Sequence, residues 1–196
     1  SIIAAFGTNL ATATQVATTA PLPIELAGTS VRVKDSAGVE RNAALFFVSP
    51  TQLNALIPAA PAPGPATLNV YHGADLVATG PLTIAAVAPS VFSANASGTG
   101  VAAAVVFRHR ADGSQSVEPV AEWNATLNRF VPAPINVSAE QEQVFLILFG
   151  TGFRYHTGLA NVRASVGGQD APLNFAGAQG GLTGLDQANI RLSQAL

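Results

Sequence analysis

The sequence predicts an all-β protein built from two β-sandwiches in tandem, and three observations support this. Apolar and polar residues alternate at the period of a half-buried strand, as in "SVRVKD" at 30–35. Glycine and proline interrupt the chain about every 8–12 residues, a spacing typical of sandwich strands. Several phrases also occur twice in the same order. We therefore assign residues 1–88 to a first sandwich and residues 89–196 to a second.

The clearest repeated phrase is "IIAAFGTNL" at 2–10, which matches "VFLILFGTGF" at 144–153. "SVRVKDSAG" at 30–38 has a counterpart in "NVRASVGGQ" at 161–169, and "SPTQLNALIP" at 49–58 has one in "TGLDQANIRL" at 183–192. The matches keep their order while their spacing drifts by a few residues. This pattern indicates one domain copied once, with loops of different length.

The repeated Phe-Gly-Thr phrase predicts a corner that follows a strand buried on both faces. Glycine should end the strand, threonine should bond neighbouring amides, and the next residue should take a positive φ. A large apolar residue should then return to the core. The predicted corner residues are Phe6, Gly7, Thr8, Asn9 and Leu10 in the first copy and Phe149, Gly150, Thr151, Gly152 and Phe153 in the second. We expect them to be structural rather than binding residues.

Two hairpins are predicted from turn signals between strand-like runs. One spans "ATLNVYHGADLVATGPLTIAA", with His72–Asp75 as its turn, and the other spans residues 101–120, with Asp112-Gly113 as its turn.

The second copy lacks the last strands of the first. Residues 59–86 supply these strands in copy one, whereas only 193–196 follow the corresponding strand of copy two. Copy two instead has a hairpin before its Phe-Gly-Thr. Either this hairpin fills the gap, or the native chain continues past residue 196, or a neighbouring molecule supplies the strand. An unfilled sheet edge would be a site of self-association.

Several of these stretches resemble known families. "IIAAFGTNL", "SVRV" and "FFVSPTQLNALIPAAPAPGPATLNVYHG" resemble IPT/TIG-type immunoglobulin-like domains, through Gly7, Asn9, Leu10, Pro58 and Gly64. "APSVFSANASGTGVAAA" and "GLDQANIRL" resemble a C-terminal module of large secreted acidobacterial proteins. The resemblance covers most of the chain and implies two tandem immunoglobulin-like sandwiches. It implies no catalytic residues.

Composition excludes several classes of function. Charged residues make up 10 % of the chain, and no apolar run approaches the roughly 18–20 residues that span a bilayer. The net charge of −2 and the single lysine, Lys34, argue against nucleic-acid binding. The absence of cysteine excludes disulfides and thiolate metal sites. The absence of methionine indicates a mature or excised fragment of a longer protein.

No motif predicts an enzyme, a metal site or a cofactor. The three histidines lack metal-site spacing, and no G-x-S-x-G pentapeptide is present. Glu118 and Glu122 could form a glycosidase pair, but no neighbouring pattern indicates a cleft. We expect Glu140 and Glu142 to lie on a solvated face.

Two polar features of the sequence are candidate binding sites. "EWNATLNRF" at 122–130 holds the only tryptophan, and a carbohydrate site would use Trp123, Asn124, Asn128 and Arg129. The favoured alternative is that Trp123 lies in the core. The second feature is a repeated Gln-x-Asn, which could bond backbone groups or form a polar stripe for a ligand. It comprises Gln52, Asn54, Gln187 and Asn189.

Together these features predict a non-catalytic, extracellular structural or adhesive module of a larger bacterial secreted or surface protein. Its partner would be an extracellular protein or a glycan. The alternatives are a carbohydrate-binding module that uses Trp123, and a self-assembling subunit that associates through the open sheet edge of its second domain.

Overall fold

The computed structural model describes residues 1–138 and 142–196, which form two compact units, Ser1–Ala86 and Val87–Leu196. Apart from one 3-10 turn at Leu159–Asn161, the regular elements of these residues are β-strands, and the strands pair antiparallel. The all-β class predicted from the sequence is therefore confirmed. The described residues contain no helix long and apolar enough to cross a membrane.

Unit 1, as we call Ser1–Ala86, contains eight strands. They are β1 (Ile2–Phe6), β2 (Gln15–Val16), β3 (Glu25–Leu26), β4 (Thr29–Lys34), β5 (Glu40–Val48), β6 (Gln52–Leu56), β7 (Gly64–His72) and β8 (Asp75–Ile84).

The sheet of unit 1 curls because β5 has different partners along its length. The strand order is β1-β6-β5-β4-β7-β8, with β2 paired to β5 and β3 to β4. The first half of β5 pairs with β4, and its second half pairs with β6. Buried residues from both parts, including Val31, Leu45 and Leu53, form one core cluster. The two parts of the sheet therefore face each other across a single hydrophobic core.

The sequence periodicity of unit 1 matches its burial. In β4, Val31 and Val33 are buried while Arg32 and Lys34 point outward, as the alternation predicts. β7 and β8 form the predicted hairpin, and Gly73 takes φ 58° in its turn.

The described residues of unit 2, as we call Val87–Leu196, form ten strands. They are β9 (Ser90–Val91), β10 (Ala104–His109), β11 (Gln115–Pro119), β12 (Ala121–Asn124), β13 (Arg129–Pro132), β14 (Gln143–Thr151), β15 (Ala164–Val166), β16 (Gln169–Ala171), β17 (Leu173–Ala178) and β18 (Asp186–Leu192).

The main sheet of unit 2 has the order β11-β10-β14-β18-β17, and β9 pairs with the end of β14. Two further hairpins, β12–β13 and β15–β16, are separate two-stranded sheets. The core contains Val106, Val144 and Ile190. The predicted hairpin is confirmed as β10–β11, and Gly113 takes φ 83° in its turn.

The sequence repeat is also a repeat of strand pairing. β1, β6 and β5 in unit 1 correspond to β14, β18 and β17 in unit 2. In each unit one phenylalanine lies opposite the glutamine and another opposite the asparagine of Gln-x-Asn. The pairs are Phe6–Gln52, Phe47–Asn54, Phe149–Gln187 and Phe175–Asn189. The register also shifts at the same place, between Leu45 and Phe47 in β5 and between Leu173 and Phe175 in β17.

The predicted corner is confirmed in its turn and its buried residue. Asn9 and Gly152 take φ 55° and 81°, and Leu10 and Phe153 are only 5 % and 8 % exposed. Each large apolar residue therefore returns to the interior directly after a left-handed residue.

Other parts of the corner prediction are wrong. β1 is an edge strand, and its Phe6 is 75 % exposed rather than buried. β14 continues through Gly150 to Thr151, so its glycine does not end the strand. Thr8 is exposed, whereas the buried Thr151 hydroxyl donates to the carbonyl of Gly184 at 3.2 Å.

Candidate functional site

Among the described residues of unit 2, no strands cover the edge that β7 and β8 cover in unit 1. The β15–β16 hairpin corresponds to β4 and the first half of β5, because Ala164–Ala171 pairing continues into β17 as Val31–Ala43 pairing continues along β5. The strand pairing thus aligns Ala164 with Val31, so the sequence match of 30–38 to 161–169, which aligns Ala164 with Val33, is wrong by two residues. In unit 1, β4 lies between β5 and β7. Among the described residues, β15 pairs only with β16.

The predicted hairpin at 99–120 does not fill this gap. β10 pairs with β14, the counterpart of β1, so β10 and β11 extend the sheet at the opposite side. The first of the three explanations derived from the sequence is therefore wrong.

Burial reflects the missing neighbour. In unit 1, Val31 and Val33 of β4 are 0 % and 1 % exposed, and Leu68 and Val70 of β7 lie directly opposite them. In unit 2, the side chains of Ala164 and Val166 pack against the core but are only half buried. The inner face of β15 thus leaves apolar surface in contact with water.

The turn of the hairpin determines which backbone groups point to the open side. Gly167 and Gly168 both have positive φ, 60° and 82°, which is typical of a two-residue type I′ turn. In such a hairpin the residues flanking the turn, here Val166 and Gln169, bond to each other. Because bonding alternates along a strand, the N–H and C=O of Ser165 point to the open side.

An open groove of about 610 Å³ lies beside the hairpin. Its walls are mainly apolar, with one charge of each sign at Arg163 and Asp170. The apolar residues lining it include Leu159, Val162, Ala164, Ala171 and Leu173. β15, this groove and the half-buried side chains form the site that we call the β15 edge.

The charged side chains of β10 and β11 form a structural network. The buried Arg108 donates to both carboxylate oxygens of Glu118, at 2.9 and 3.0 Å, and to Glu142 at 2.9 Å. The Arg108 guanidinium is the main cause of a lowered pKa at Glu118. A carboxylate held ionised in this way is poorly suited to be the general acid of a glycosidase. Glu122 lies on a separate hairpin.

The prediction that Glu142 lies on a solvated face is wrong, since its side chain is only 17 % exposed and binds Arg108. Glu140 lies outside the described residues. A second buried pair joins Asp186, which is 0 % exposed, to Arg154 at 2.6 Å. Asp186 also accepts the N–H of Phe153 at 2.8 Å, so it fixes the corner described above.

The sequence analysis did not identify the buried Arg108 and Asp186, although the alternation of residues in β10 indicates that Arg108 is buried. Arg108 lies two residues after Val106 on β10, so both side chains point to the core. A buried arginine needs carboxylate partners, and Glu118 lies within the same hairpin. Among the described residues, no group of three histidines or carboxylates could hold a metal ion.

The structure does not bring the four predicted carbohydrate residues together. Trp123 lies opposite Phe130, while Asn124 lies opposite Arg129, so the two pairs occupy opposite faces of the hairpin. The Asn124 side chain accepts the N–H of Leu127 at 2.9 Å. Asn128 takes φ 49° in the turn.

The favoured alternative for Trp123, a place in the core, is wrong because the residue is 55 % exposed. Its ring contacts that of Phe130 edge to face, with 5.3 Å between centroids. Trp123 is therefore an exposed aromatic side chain on β12–β13, whereas Phe130 is half-buried.

The glutamine and asparagine side chains of the repeat bond to each other rather than to backbone groups. Gln52 donates to Asn54 at 2.9 Å, and Gln187 donates to Asn189 at 2.7 Å. The same amide pair therefore lies on the same outward face in both units.

Comparison with protein-family models, curated proteins and solved structures finds no match to this chain.

Proposed function

We propose that this chain is a non-catalytic structural or adhesive module of a larger secreted or surface protein of a bacterium. The observation that supports this is the repeated strand pairing of units 1 and 2, including the shared register shift. Tandem copies of a small β domain are common in extracellular proteins, where they act as spacers and present binding surfaces. This proposal includes the assignment of both units as immunoglobulin-like sandwiches of the IPT/TIG type. Their curled antiparallel sheets are consistent with that assignment.

The role as a spacer can be tested by stretching single molecules of the 196-residue chain between two handles. Two discrete unfolding events are expected, with contour-length gains of roughly 300 Å for unit 1 and 380 Å for unit 2 before subtraction of the folded lengths. Gradual extension without discrete events would contradict a load-bearing module.

A second candidate function is carbohydrate recognition, and the exposed ring of Trp123 favours it. Sugar rings stack on exposed aromatic faces, and nearby amides and guanidinium groups can bond their hydroxyls. Because Asn124 and Arg129 lie on the other face of the hairpin, the aromatic pair alone would supply the stacking surface.

Glycan-array binding tests this candidate with one variant and one control. Trp123→Ala should abolish binding to any glycan that the native chain retains. Leu127→Ala removes a comparably exposed apolar side chain from the same hairpin and should leave binding intact. Equal losses for both variants, or no retained glycan, would exclude this function.

A further inference from the structure

We propose that the outward face around each Gln-x-Asn pair binds an uncharged polysaccharide, which gives this chain one glycan site in each unit. Each site consists of the amide pair and the two phenylalanines opposite it, and we call it an amide face. The residues are Phe6, Phe47, Gln52 and Asn54 in unit 1 and Phe149, Phe175, Gln187 and Asn189 in unit 2. This inference rests on the proposed adhesive role and names a ligand class and a site that does not include Trp123.

The amide faces are identical in the two units, although the cores behind them differ. Outward residues can usually change at little cost, whereas core residues are constrained by packing. Here the reverse is seen, because the four outward positions hold the same residues in both units while most inward positions on the same strands do not. The inward pairs that differ include Leu53 and Ala188, Ala55 and Ile190, and Val48 and Ala176. A common ligand accounts for residues that are kept on the outside of both units.

The amide pair of each face is oriented and accessible to a ligand. Gln52 donates to Asn54 at 2.9 Å, and Gln187 donates to Asn189 at 2.7 Å. All four side chains are half buried rather than buried. The bond within each pair leaves the glutamine carbonyl oxygen and N–H groups of both amides to bond a ligand. Sugar hydroxyls both donate and accept, so adjacent hydroxyls match such a pair.

The phenylalanines supply an apolar surface on both sides of the amide pair. In unit 1, Phe6 lies opposite Gln52 and Phe47 lies opposite Asn54. Residues directly opposite each other have Cβ atoms about 4.5–5.5 Å apart, so one sugar unit can contact both a ring and an amide. Phe6 and Phe175 are the more exposed rings of the two faces. The apolar face of a sugar can stack on them.

No charge belongs to the shared site. The eight residues of the two amide faces are all uncharged. Arg191 follows Asn189 on the outward side of β18, but Leu56 takes the corresponding position in unit 1. The features common to both units therefore fit an uncharged ligand.

An open and repeated site fits a polymer better than a small molecule. Small ligands bind in concave pockets that bury most of their surface, and the outward face of a sheet does not enclose a ligand in this way. A polysaccharide presents the same sugar many times and can bind both faces, which raises affinity without new contacts. One packed polypeptide segment would cover one face, whereas a repeating polymer meets both with the same chemistry.

Affinity electrophoresis of the whole chain tests the proposal, with native gels that contain dextran, galactomannan, hydroxyethyl cellulose or a soluble β-glucan. At least one of these polymers should retard the native chain. A variant that carries alanine at all four amide positions should bind that polymer about tenfold or more weakly, because the hydrogen bonds of both faces are lost. The control is Asn69→Ala with Thr79→Ala, which removes another hydrogen-bonded outward pair and should bind as the native chain does.

Ring variants provide a second readout that does not depend on the amide variant folding. Phe6→Ala with Phe175→Ala removes the more exposed ring of each face and should also weaken binding. Phe6→Tyr with Phe175→Tyr keeps both rings and should bind as the native chain does. Circular dichroism of each variant shows that a loss of binding is not a loss of the fold.

Several outcomes would overturn the proposal. One is no retardation by any of the four polymers, or retardation only by the charged polymer polygalacturonate. Another is binding that survives the loss of the amides and of the rings, and its loss in Trp123→Ala would then assign the glycan to β12–β13. A third is self-association in light scattering that the amide variant removes while no polysaccharide binds, which would assign the faces to a second copy.

The force experiment described above remains independent of this result. Discrete unfolding of both units without polysaccharide binding would keep the spacer role and overturn the proposed sites. Polysaccharide binding without discrete unfolding would contradict the spacer role and support the amide faces.

Discussion

Glycine in the repeated Phe-Gly-Thr phrase makes room for the buried residue that follows it. A Cβ added at Gly7 would lie 3.0 Å from Cδ2 of Leu10. One added at Gly150 would lie 2.8 Å from Cζ of Phe153 and overlap the carbonyl oxygen of Ser90. The phrase is thus repeated because a strand and a large apolar side chain approach closely in both units.

Gly150→Ala should therefore destabilise unit 2 by about 1–3 kcal/mol, since the added methyl overpacks a buried site. Gly80→Ala is the matched control, because Gly80 is also in a strand and a Cβ there would meet no atom within 4 Å. Urea unfolding of both variants measures the difference. Equal unfolding midpoints would show that the Ser90 segment moves away at little cost.

Asp35 connects three backbone N–H groups and one arginine in unit 1. It accepts the N–H groups of Ala37, Val39 and Ala62, and Arg41 donates to it at 2.6 Å. These bonds, the one from Ala62 foremost, lower the pKa of Asp35 to about 2. The folded state therefore favours the ionised carboxylate more than the unfolded state does.

The lowered pKa of Asp35 predicts how stability depends on pH. Its contribution should be complete above about pH 4, the ordinary pKa of aspartate, and should be lost as the pH falls towards 2. Asp35→Asn should remove this part of the acid sensitivity and lower stability at neutral pH. Asp75→Asn, at the exposed β7–β8 turn, should keep the native profile. Unfolding midpoints between pH 7 and about 2 provide the measurement.

Among the strands, β10 is unusual because it turns an arginine towards the core. Arg108 is 7 % exposed and its guanidinium bonds Glu118, Glu142 and the carbonyl of Asn136. The network holds the hairpin β10–β11 to the start of β14. Burying such charges costs desolvation energy, but removing one partner costs more because it leaves the others uncompensated.

Arg108→Ala should consequently lower the free energy of unfolding by about 3 kcal/mol, at the lower end for a buried pair because Glu118 is 39 % exposed. Arg32→Ala breaks a surface pair, Arg32–Glu40 at 3.5 Å, and should cost less than about 1 kcal/mol. Denaturant titration of the two variants gives the comparison. A loss at Arg108 as small as that at Arg32 would mean that the network is not a stabilising contact.

Each unit has its own hydrophobic core. The residues of the first core all lie in unit 1, and those of the second all lie in unit 2. Residues 1–86 include every strand of their sheet, including β7 and β8. In unit 2, β15 pairs only with β16 as far as the structure describes the chain. The two units should therefore differ in stability as well as in sequence.

Expressed separately, residues 1–86 should fold cooperatively, because their sheet is complete and Val31, Leu45 and Leu53 are fully buried. Residues 87–196 should also fold but unfold at a lower temperature, because Ala164 and Val166 of β15 are only half buried. Circular dichroism and calorimetry on both fragments measure this. A fragment 1–86 that stays unfolded would show that its core depends on the rest of the chain.

The sequence by itself determined the all-β class, the order of the repeats, the two tight hairpins and the left-handed residues at Asn9 and Gly152. These features depend on local chemistry: alternation at a period of two, and turn residues that accept positive φ. The repeat also aligned the β1 and β6 phrases of the first copy with those of β14 and β18 in the second.

Only the tertiary structure decided which strands pair with each other and which side chains they bury. Periodicity shows that a strand exists but not which neighbour it pairs with, so the added hairpin could be placed beside β14 only in three dimensions. Burial depends on which strands cover a residue, which is why Phe6 and Trp123 are exposed and Glu142 is not. The open β15 edge is likewise a property of pairing, since the same local sequence pattern lies within a sheet in unit 1 and at its edge in unit 2.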